Sequence, residues 1–133
     1  MSTPTFSVII PLYNKEAEVA ATLRSALEQS LRPLEVIVVD DGSTDRSAGI
    51  VASFRSPLVR LIRQPNAGVS AARNRAIAEA RGEYVALLDA DDRWRPGFLA
   101  EIAAMIERWP DCGLYATAFD IVSDEGLVPG RTP

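Results

Sequence analysis

The chain has no histidine among its 133 residues. Imidazole is therefore missing from every role it commonly fills, which excludes histidine-ligated zinc, a histidine general base and a Ser-His-Asp triad. Cysteine is almost missing as well. Cys112 is the only one, so no intrachain disulfide can form, and it reads as a small buried apolar residue compatible with the cytosol. Of 14 basic residues all but Lys15 are arginine, and 18 acids leave a net charge of −4. No basic patch dominates, which argues against nucleic acid as a partner. No apolar run nears the roughly 20 residues that span a bilayer, and the N-terminus lacks the basic-then-apolar pattern of a signal peptide. Glycine is missing where phosphate-binding loops need it. Pro11-Leu12-Tyr13-Asn14-Lys15 follows the first apolar run, which excludes both the dinucleotide fingerprint and the P-loop.

What is present is ordinary globular composition, 47% hydrophobic and 24% charged, in a length that suits one domain or most of one. Phe6 to Ile10 reads as a buried strand ended by Pro11. Glu16 to Ser30 has helical spacing, with Val19, Leu23, Ala26 and Leu27 on one face. Leu34 to Val39 is a second strand, followed by a helix from a Ser43 or Thr44 cap to about Phe54. Leu58 to Ile62 is a third strand. A turn at Pro65-Asn66-Ala67-Gly68 leads to an alanine-rich helix from Val69 to about Ala80, closed by Gly82. Tyr84 to Leu88 is a fourth strand, short enough and apolar enough to be buried on both faces. Pro96 starts a helix that carries Leu99, Ile102 and Ile106 and ends before Pro110. Cys112 to Phe119 is expected as a fifth strand, and residues 120–133 as an irregular segment. Strands alternating with helices of about a dozen residues predict an α/β fold with a parallel, doubly wound sheet.

Three strand ends carry unusual chemistry. The first ends in Pro11-Leu12-Tyr13-Asn14, the second in Asp40-Asp41, and the fourth in Asp89-Ala90-Asp91-Asp92. In a parallel sheet these ends share one edge, the edge at which ligands bind. Acids so crowded repel one another unless a cation sits among them, and a divalent ion held by hard oxygens suits one or two carboxylates plus substrate phosphates. Each piece has a plainer reading. Tyr13 could cover a strand end, Asp40-Asp41-Gly42-Ser43 could be an ordinary turn, and Asp92 could cap the next helix. Asp45 reads as a helix-start acid, Arg75 as a surface arginine paired with Glu79 or Glu83, and Trp94 and Trp109 as packing residues.

Four motifs in order then carry a resemblance. Val8-Ile9-Ile10-Pro11-Leu12-Tyr13-Asn14, Val38-Val39-Asp40-Asp41-Gly42-Ser43-Thr44-Asp45, Asn66-Ala67-Gly68-Val69-Ser70-Ala71-Ala72-Arg73-Asn74 and Leu88-Asp89-Ala90-Asp91-Asp92 together resemble the family 2 glycosyltransferases of GT-A fold. The likeness covers about residues 6–119. It implies a Rossmann-like three-layer αβα architecture with a mainly parallel central sheet, truncated on its C-terminal side. Residues 1–119 would be the nucleotide-sugar-binding subdomain.

The resemblance also implies roles. Pro11, Tyr13 and Glu16 would surround the base and ribose, with Tyr13 offering a stacking ring. A carboxylate of Asp40 or Asp41 would accept from the base N–H. Gly68 would admit backbone close to the nucleotide, and Arg73 would reach the base or phosphates. Asp89 would meet the ribose. Asp91, helped by Asp92, would bind Mn²⁺ or Mg²⁺ on the diphosphate. The implied reaction is metal-assisted, inverting transfer of a sugar from a UDP-sugar to a glycan or lipid-linked acceptor. The segment that carries the family's catalytic base has no match after Phe119, so the chain is expected to be the donor-binding half of a longer enzyme. The expected location is the cytoplasm, at the inner membrane face for the full-length protein. An exposed sheet edge would favour a homo-oligomer. Two other classes share part of the pattern: a non-catalytic nucleotide-sugar-binding module and a sugar nucleotidyltransferase, although the latter's glycine- and basic-rich loop is missing.

Overall fold

The computed structural model describes residues 2–123 and 126–129. They form two compact units, Met1–Glu101 and Ile102–Pro133. The first unit contains strands β1 (Phe6–Leu12), β2 (Glu35–Asp40), β3 (Val59–Arg63) and β4 (Tyr84–Leu87), with helices α1 (Val19–Leu27), α2 (Ser47–Ala52) and α3 (Val69–Glu79). Helix α4 (Phe98–Arg108) begins in it and runs on into the second unit. The four strands make one parallel sheet in the order β3-β2-β1-β4. This is the expected α/β architecture.

Every residue of β1 and β2 is buried, as suits the middle strands of a sheet covered on both faces. The topology explains the covering. From β1 to β3 the chain steps one way across the sheet, and from β3 to β4 it returns past β1. Right-handed crossovers therefore place α1 and α2 on one face and α3 on the other. The residues agree: Ile9, Ile37 and Val39 share a face, and Ala72 and Ala76 of α3 are buried against them. Alanine at these two positions, one helical turn apart, lets the helix backbone approach the sheet closely. Val19, Thr22, Leu23 and Ala26 form the buried stripe of α1.

Several expectations are corrected. β1 does not stop at Pro11 but continues to Leu12, with Pro11 opposite Val39. β4 pairs only with Phe6 to Ile9, so the missing proline N–H breaks no ladder bond on that side. β4 is not buried on both faces. It is an edge strand, and Val85 (42% exposed) and Leu87 (54%) face away from cover. Helix α2 begins at Ser47 rather than at Ser43 or Thr44, because those hydroxyls bond the loop after β1 instead. Gly82 does not cap α3, which ends at Glu79. A Cβ on Gly82 would lie 2.7 Å from the Ser7 nitrogen, so the glycine is needed for close approach to β1.

In the second unit, residues 112–119 form no ladder among the described residues, contrary to the expected fifth strand. An apolar run becomes a strand only where a neighbour takes its hydrogen bonds, and Leu114 is 84% exposed. The stretch expected to be irregular instead contains a two-stranded antiparallel hairpin, β5 (Asp120–Ser123) and β6 (Gly126–Pro129). Ile121 pairs with Val128 and Val122 with Leu127. Asp124-Glu125 between them lacks the Asn-Gly type of turn signal, which hid the pairing from the sequence. Cys112 is exposed rather than buried, since it lies in the irregular run and not on a core-facing element. Trp109 is half-exposed, with the Arg108 guanidinium 4.7 Å from its ring centre. No helix among the described residues is long and apolar enough to cross a membrane.

The end of the sheet opposite the three acidic and aromatic strand ends is locked by a buried carboxylate. Glu35 accepts from Ser7 Oγ (2.7 Å) and the Arg81 backbone N–H (2.7 Å), and pairs with Arg60 (3.3 Å). Arg60 also bonds Glu79, and Ser7 Oγ accepts from the Gly82 N–H (2.8 Å). Burial would raise the Glu35 pKa, but the hydrogen bonds from Arg81, Ser7 and Arg60 outweigh it and the net shift is downward. Gly82→Ala is expected to force this junction apart and destabilise the protein by about 1–3 kcal/mol, as overpacking does. Urea unfolding reads this directly, and an unchanged midpoint would refute the close-approach account.

Candidate functional site

The strand order reverses between β1 and β4. At such a switch point the loops leaving the carboxyl ends of the two strands diverge to opposite faces and open a crevice. Tyr13, Asn14 and Lys15 leave β1 on one side of it; Asp89, Ala90 and Asp91 follow β4 on the other. The end of β2, Asp40, lies beside the end of β1, since Leu12 and Asp40 are register partners. The three strand ends singled out in the sequence thus meet on one edge.

Asp40 and Asp41 are both buried, yet their surroundings differ completely. Asp41 is saturated. Its carboxylate accepts from the backbone N–H groups of Ala67 (2.8 Å) and Gly68 (2.9 Å) and from Gln64 Nε2 (2.9 Å). Its own backbone N–H bonds Leu12 O (2.8 Å), and its carbonyl accepts from Asn66 Nδ2 (3.0 Å). The Gln64 hydrogen bond, with those from Ala67 and Gly68, holds its pKa below the ordinary carboxylate value against the opposing effect of burial. Asp40 has the opposite condition: its Oδ1 is buried with no hydrogen-bond partner in the protein. Such an orphaned acceptor requires an explanation, and a ligand donor is one. Gly68 has φ +100°, in the left-handed region that glycine alone occupies cheaply, and the space where a Cβ would stand is open.

The loop after β1 is strapped to the segment after β2. Asn14, itself at φ +48°, donates its backbone N–H to Ser43 Oγ (3.0 Å), and its Oδ1 accepts from the Thr44 N–H (2.8 Å). Lys15 donates its N–H to Ser47 Oγ (2.8 Å). Asp45 spans the same junction: Oδ1 accepts from the Ser47 N–H (2.8 Å) and Oδ2 from the Glu16 N–H (3.2 Å), and these bonds lower its pKa although desolvation opposes them. Glu16 is engaged here too. Its Oε2 accepts from the backbone N–H (3.0 Å) and Nε (3.4 Å) of Arg46, so this carboxylate works first as part of the strap. Pro11 is buried under the edge, and Tyr13 is half-exposed on it.

The acids after β4 are met by cations. Arg73 reaches from α3 to Asp89, Nη2 to Oδ1 at 2.8 Å, while its Nε is buried without a partner. Lys15 reaches across the crevice to Asp91, Nζ to Oδ2 at 3.4 Å. Partial desolvation, with Asp91 and Asp89 close by, raises the Asp92 pKa, so a further positive charge would be welcome there. No three carboxylates converge into a closed metal cage among the described residues. One or two carboxylates with room for phosphate oxygens is nonetheless the donor set that Mg²⁺ and Mn²⁺ take at nucleotide sites, and Asp91 with Asp92 fits that open kind of site. Trp94 does pack, stacking on Phe98 with ring centres 4.5 Å apart, and Arg75 does pair with Glu79 (3.6 Å). Lys15 is the functional-edge residue that the sequence reading missed; the available signal was its place as the sole lysine, directly after Tyr13-Asn14.

The family model described as Glycosyl transferase family 2 matches residues 7–129. The chain belongs to that family. Among curated relatives, the "Uncharacterized glycosyltransferase YibD" of Escherichia coli (strain K12) is 44% identical over 106 residues, covering 78% of this chain and 31% of that protein. Among solved structures, S. aureus TarS 1-349 in complex with UDP-GlcNAc superposes with a TM-score of 0.72 at 37% identity, over 78% of this chain and 31% of that one. The mannosyltransferase PcManGT from Pyrobaculum calidifontis, in complex with GDP-Man and Mn2+, gives a TM-score of 0.72 at 31% identity, over 80% of this chain and 33% of that one. The fold is therefore GT-A. The chain spans about a third of the length of these relatives.

The Asp41 clamp makes a pH-dependent prediction. An unfolded Asp binds its proton with a pKa of about 3.9, whereas folded Asp41 binds it less readily. Its contribution is complete above about pH 4 and is lost as pH falls through the lower folded pKa. At pH 7, Asp41→Asn is expected to lose about 1.5–3 kcal/mol, the worth of hydrogen bonds to a charged acceptor. The gap to wild type should close on acidification below pH 4. Urea titrations at pH 7 and pH 3 check both; a gap independent of pH would mean that the ionised form is not what the loop holds.

Proposed function

We propose that this chain provides the donor-binding part of a glycosyltransferase that moves a sugar from a UDP-sugar to a glycan or lipid-linked hydroxyl. The observation that carries the reading is the contrast between the two acids ending β2: Asp41 is consumed by the loop, and Asp40 keeps a buried acceptor with no protein donor. A nucleobase imide N–H is the complement of that acceptor. Tyr13 offers its half-exposed ring to the base, over Pro11, and Asp89 and Arg73 stand at the ribose and phosphates. Gly68 keeps the backbone low beside them, while Glu16 holds the first loop in place. UDP is favoured because the UDP-GlcNAc-bound neighbour is the more similar of the two donor complexes.

Asp91, with Asp92, is the pair proposed to hold Mn²⁺ or Mg²⁺, which when bound neutralises charge growing on the diphosphate leaving group. The protein's own part in the step is orientation. The base, ribose and diphosphate are fixed by three strand ends, so the anomeric carbon is presented to an acceptor hydroxyl from the opposite side. The glycosyl–oxygen bond to the diphosphate breaks as the acceptor oxygen bonds the carbon, which inverts its configuration. The acceptor proton passes to a carboxylate other than the five acids of this edge, because the loop takes up Asp41 and the other four are assigned to the donor and its metal.

Thermal unfolding with UDP, GDP and TDP, each with Mn²⁺ or with chelator, tests the reading. Saturation at 100 times Kd adds about 2.7 kcal/mol, which raises the midpoint by several degrees in a domain of this size. A Mn²⁺-dependent rise with UDP is expected, reduced in Asp40→Asn and lost in Asp91→Asn. No rise with any nucleotide at millimolar concentration would overturn the donor-site reading.

A further inference from the structure

The Lys15–Asp91 ion pair is not explained by packing. Both side chains are about half-exposed, and the pair joins the two lips of the crevice at the switch point. Lys15 is held there by its backbone rather than by its side chain. Its N–H bonds Ser47 Oγ (2.8 Å), and its carbonyl accepts from Glu18 (3.1 Å) and Val19 (2.9 Å) at the entry to α1. The four-carbon stem is then free to swing while its root stays fixed. Asp89 already has a cation in Arg73 at 2.8 Å, and Lys15 answers a second acid of the edge, Asp91.

We propose that Lys15 is a built-in placeholder for the divalent cation: its ammonium holds Asp91 until a metal arrives as a diphosphate complex, then releases the acid to the metal and turns to the diphosphate. This rests on the reading of the crevice as a nucleotide-diphosphate site. Three physical points support it. A flexible monovalent amine in a half-exposed pair is held weakly and leaves readily, whereas an arginine fork would not. A metal coming alone must displace the ammonium and also lose hydration, with only one or two protein carboxylates in return. A metal coming on a diphosphate brings most of its ligands with it, and the displaced ammonium finds new partners in the phosphate oxygens. The device therefore couples the two ligands. It disfavours metal without nucleotide, and it keeps Asp91 from repelling the incoming diphosphate.

The test is Mn²⁺ binding followed by electron paramagnetic resonance, with and without UDP, on wild type, Lys15→Met and Lys15→Arg. The backbone bonds of residue 15 survive either substitution, and circular dichroism checks that the fold does too. Lys15→Met is expected to bind Mn²⁺ alone roughly fivefold more tightly than wild type, the scale of one exposed ion pair. The gain in Mn²⁺ affinity that UDP confers on wild type should shrink in Lys15→Met by at least the same factor. Lys15→Arg keeps the charge and should hold Mn²⁺ alone as weakly as wild type does. Equal Mn²⁺ affinity in wild type and Lys15→Met, with the UDP-dependent thermal shift of wild type intact, would overturn the placeholder and leave the proposed function standing. If wild type shows neither Mn²⁺ binding nor a nucleotide shift, the donor-site reading fails, and the placeholder fails with it.

Discussion

The carboxylate of Asp41 is the interaction on which the rest of the functional edge depends. It leaves the end of β2 and gathers two backbone N–H groups and a side-chain amide from the segment that follows β3. That segment would otherwise be a free turn. Clamped, it delivers Gly68 in a left-handed conformation as the residue before α3, and so sets the start and the rotation of that helix. The rotation puts Ala72 and Ala76 against the sheet and Arg73 beside Asp89. One charged acceptor thus connects backbone order, core packing and the placing of a cation at the site. Because its hydrogen bonds favour the ionised form, the arrangement is robust at neutral pH.

The two ends of the sheet solve the same electrostatic problem differently. At the N-terminal end of the strands, Glu35 is buried with both carboxylate oxygens hydrogen-bonded and a guanidinium in attendance, and the result is a rigid lock. At the carboxyl end the acids are more numerous, and Asp89 and Asp91 among them are about half-exposed. Their partners, Lys15 and Arg73, come from loops and helices rather than from the acids' own strand. The locked end anchors β1, β2 and the turn into β4. The loosely paired end keeps charge that a ligand can recruit, since exposed ion pairs are weak and exchange partners easily.

The crevice also depends on chain direction. In a sheet ordered β3-β2-β1-β4 the loops from β1 and β4 part to opposite faces. A simple progression of strands would have closed that gap with a crossover. Residues 15 and 91, far apart in sequence, face one another only because β4 returns to the far side of β1.

Much of this was legible in the sequence by itself. Apolar runs alternating with helical spacing specified four parallel strands and their helices, because each run must bury its face against something. Motifs ending in Asp40-Asp41 and Asp89-Ala90-Asp91-Asp92 placed their acids on one edge of the sheet, because parallel strands end together. Tertiary structure decided what local pattern could not. Nothing in the dipeptide Asp40-Asp41 says which acid is saturated and which is left open; side chains alternate across a strand, so the two adjacent acids meet different neighbours. Whether Tyr84–Leu87 was covered on one face or two depended on its place at the sheet edge. Gly82 read as a helix stop and proved to be a point of close approach to Ser7, a contact 75 residues away in sequence. Lys15 carried no local sign of its partner, since an ion pair across a crevice is a property of the fold and not of the segment.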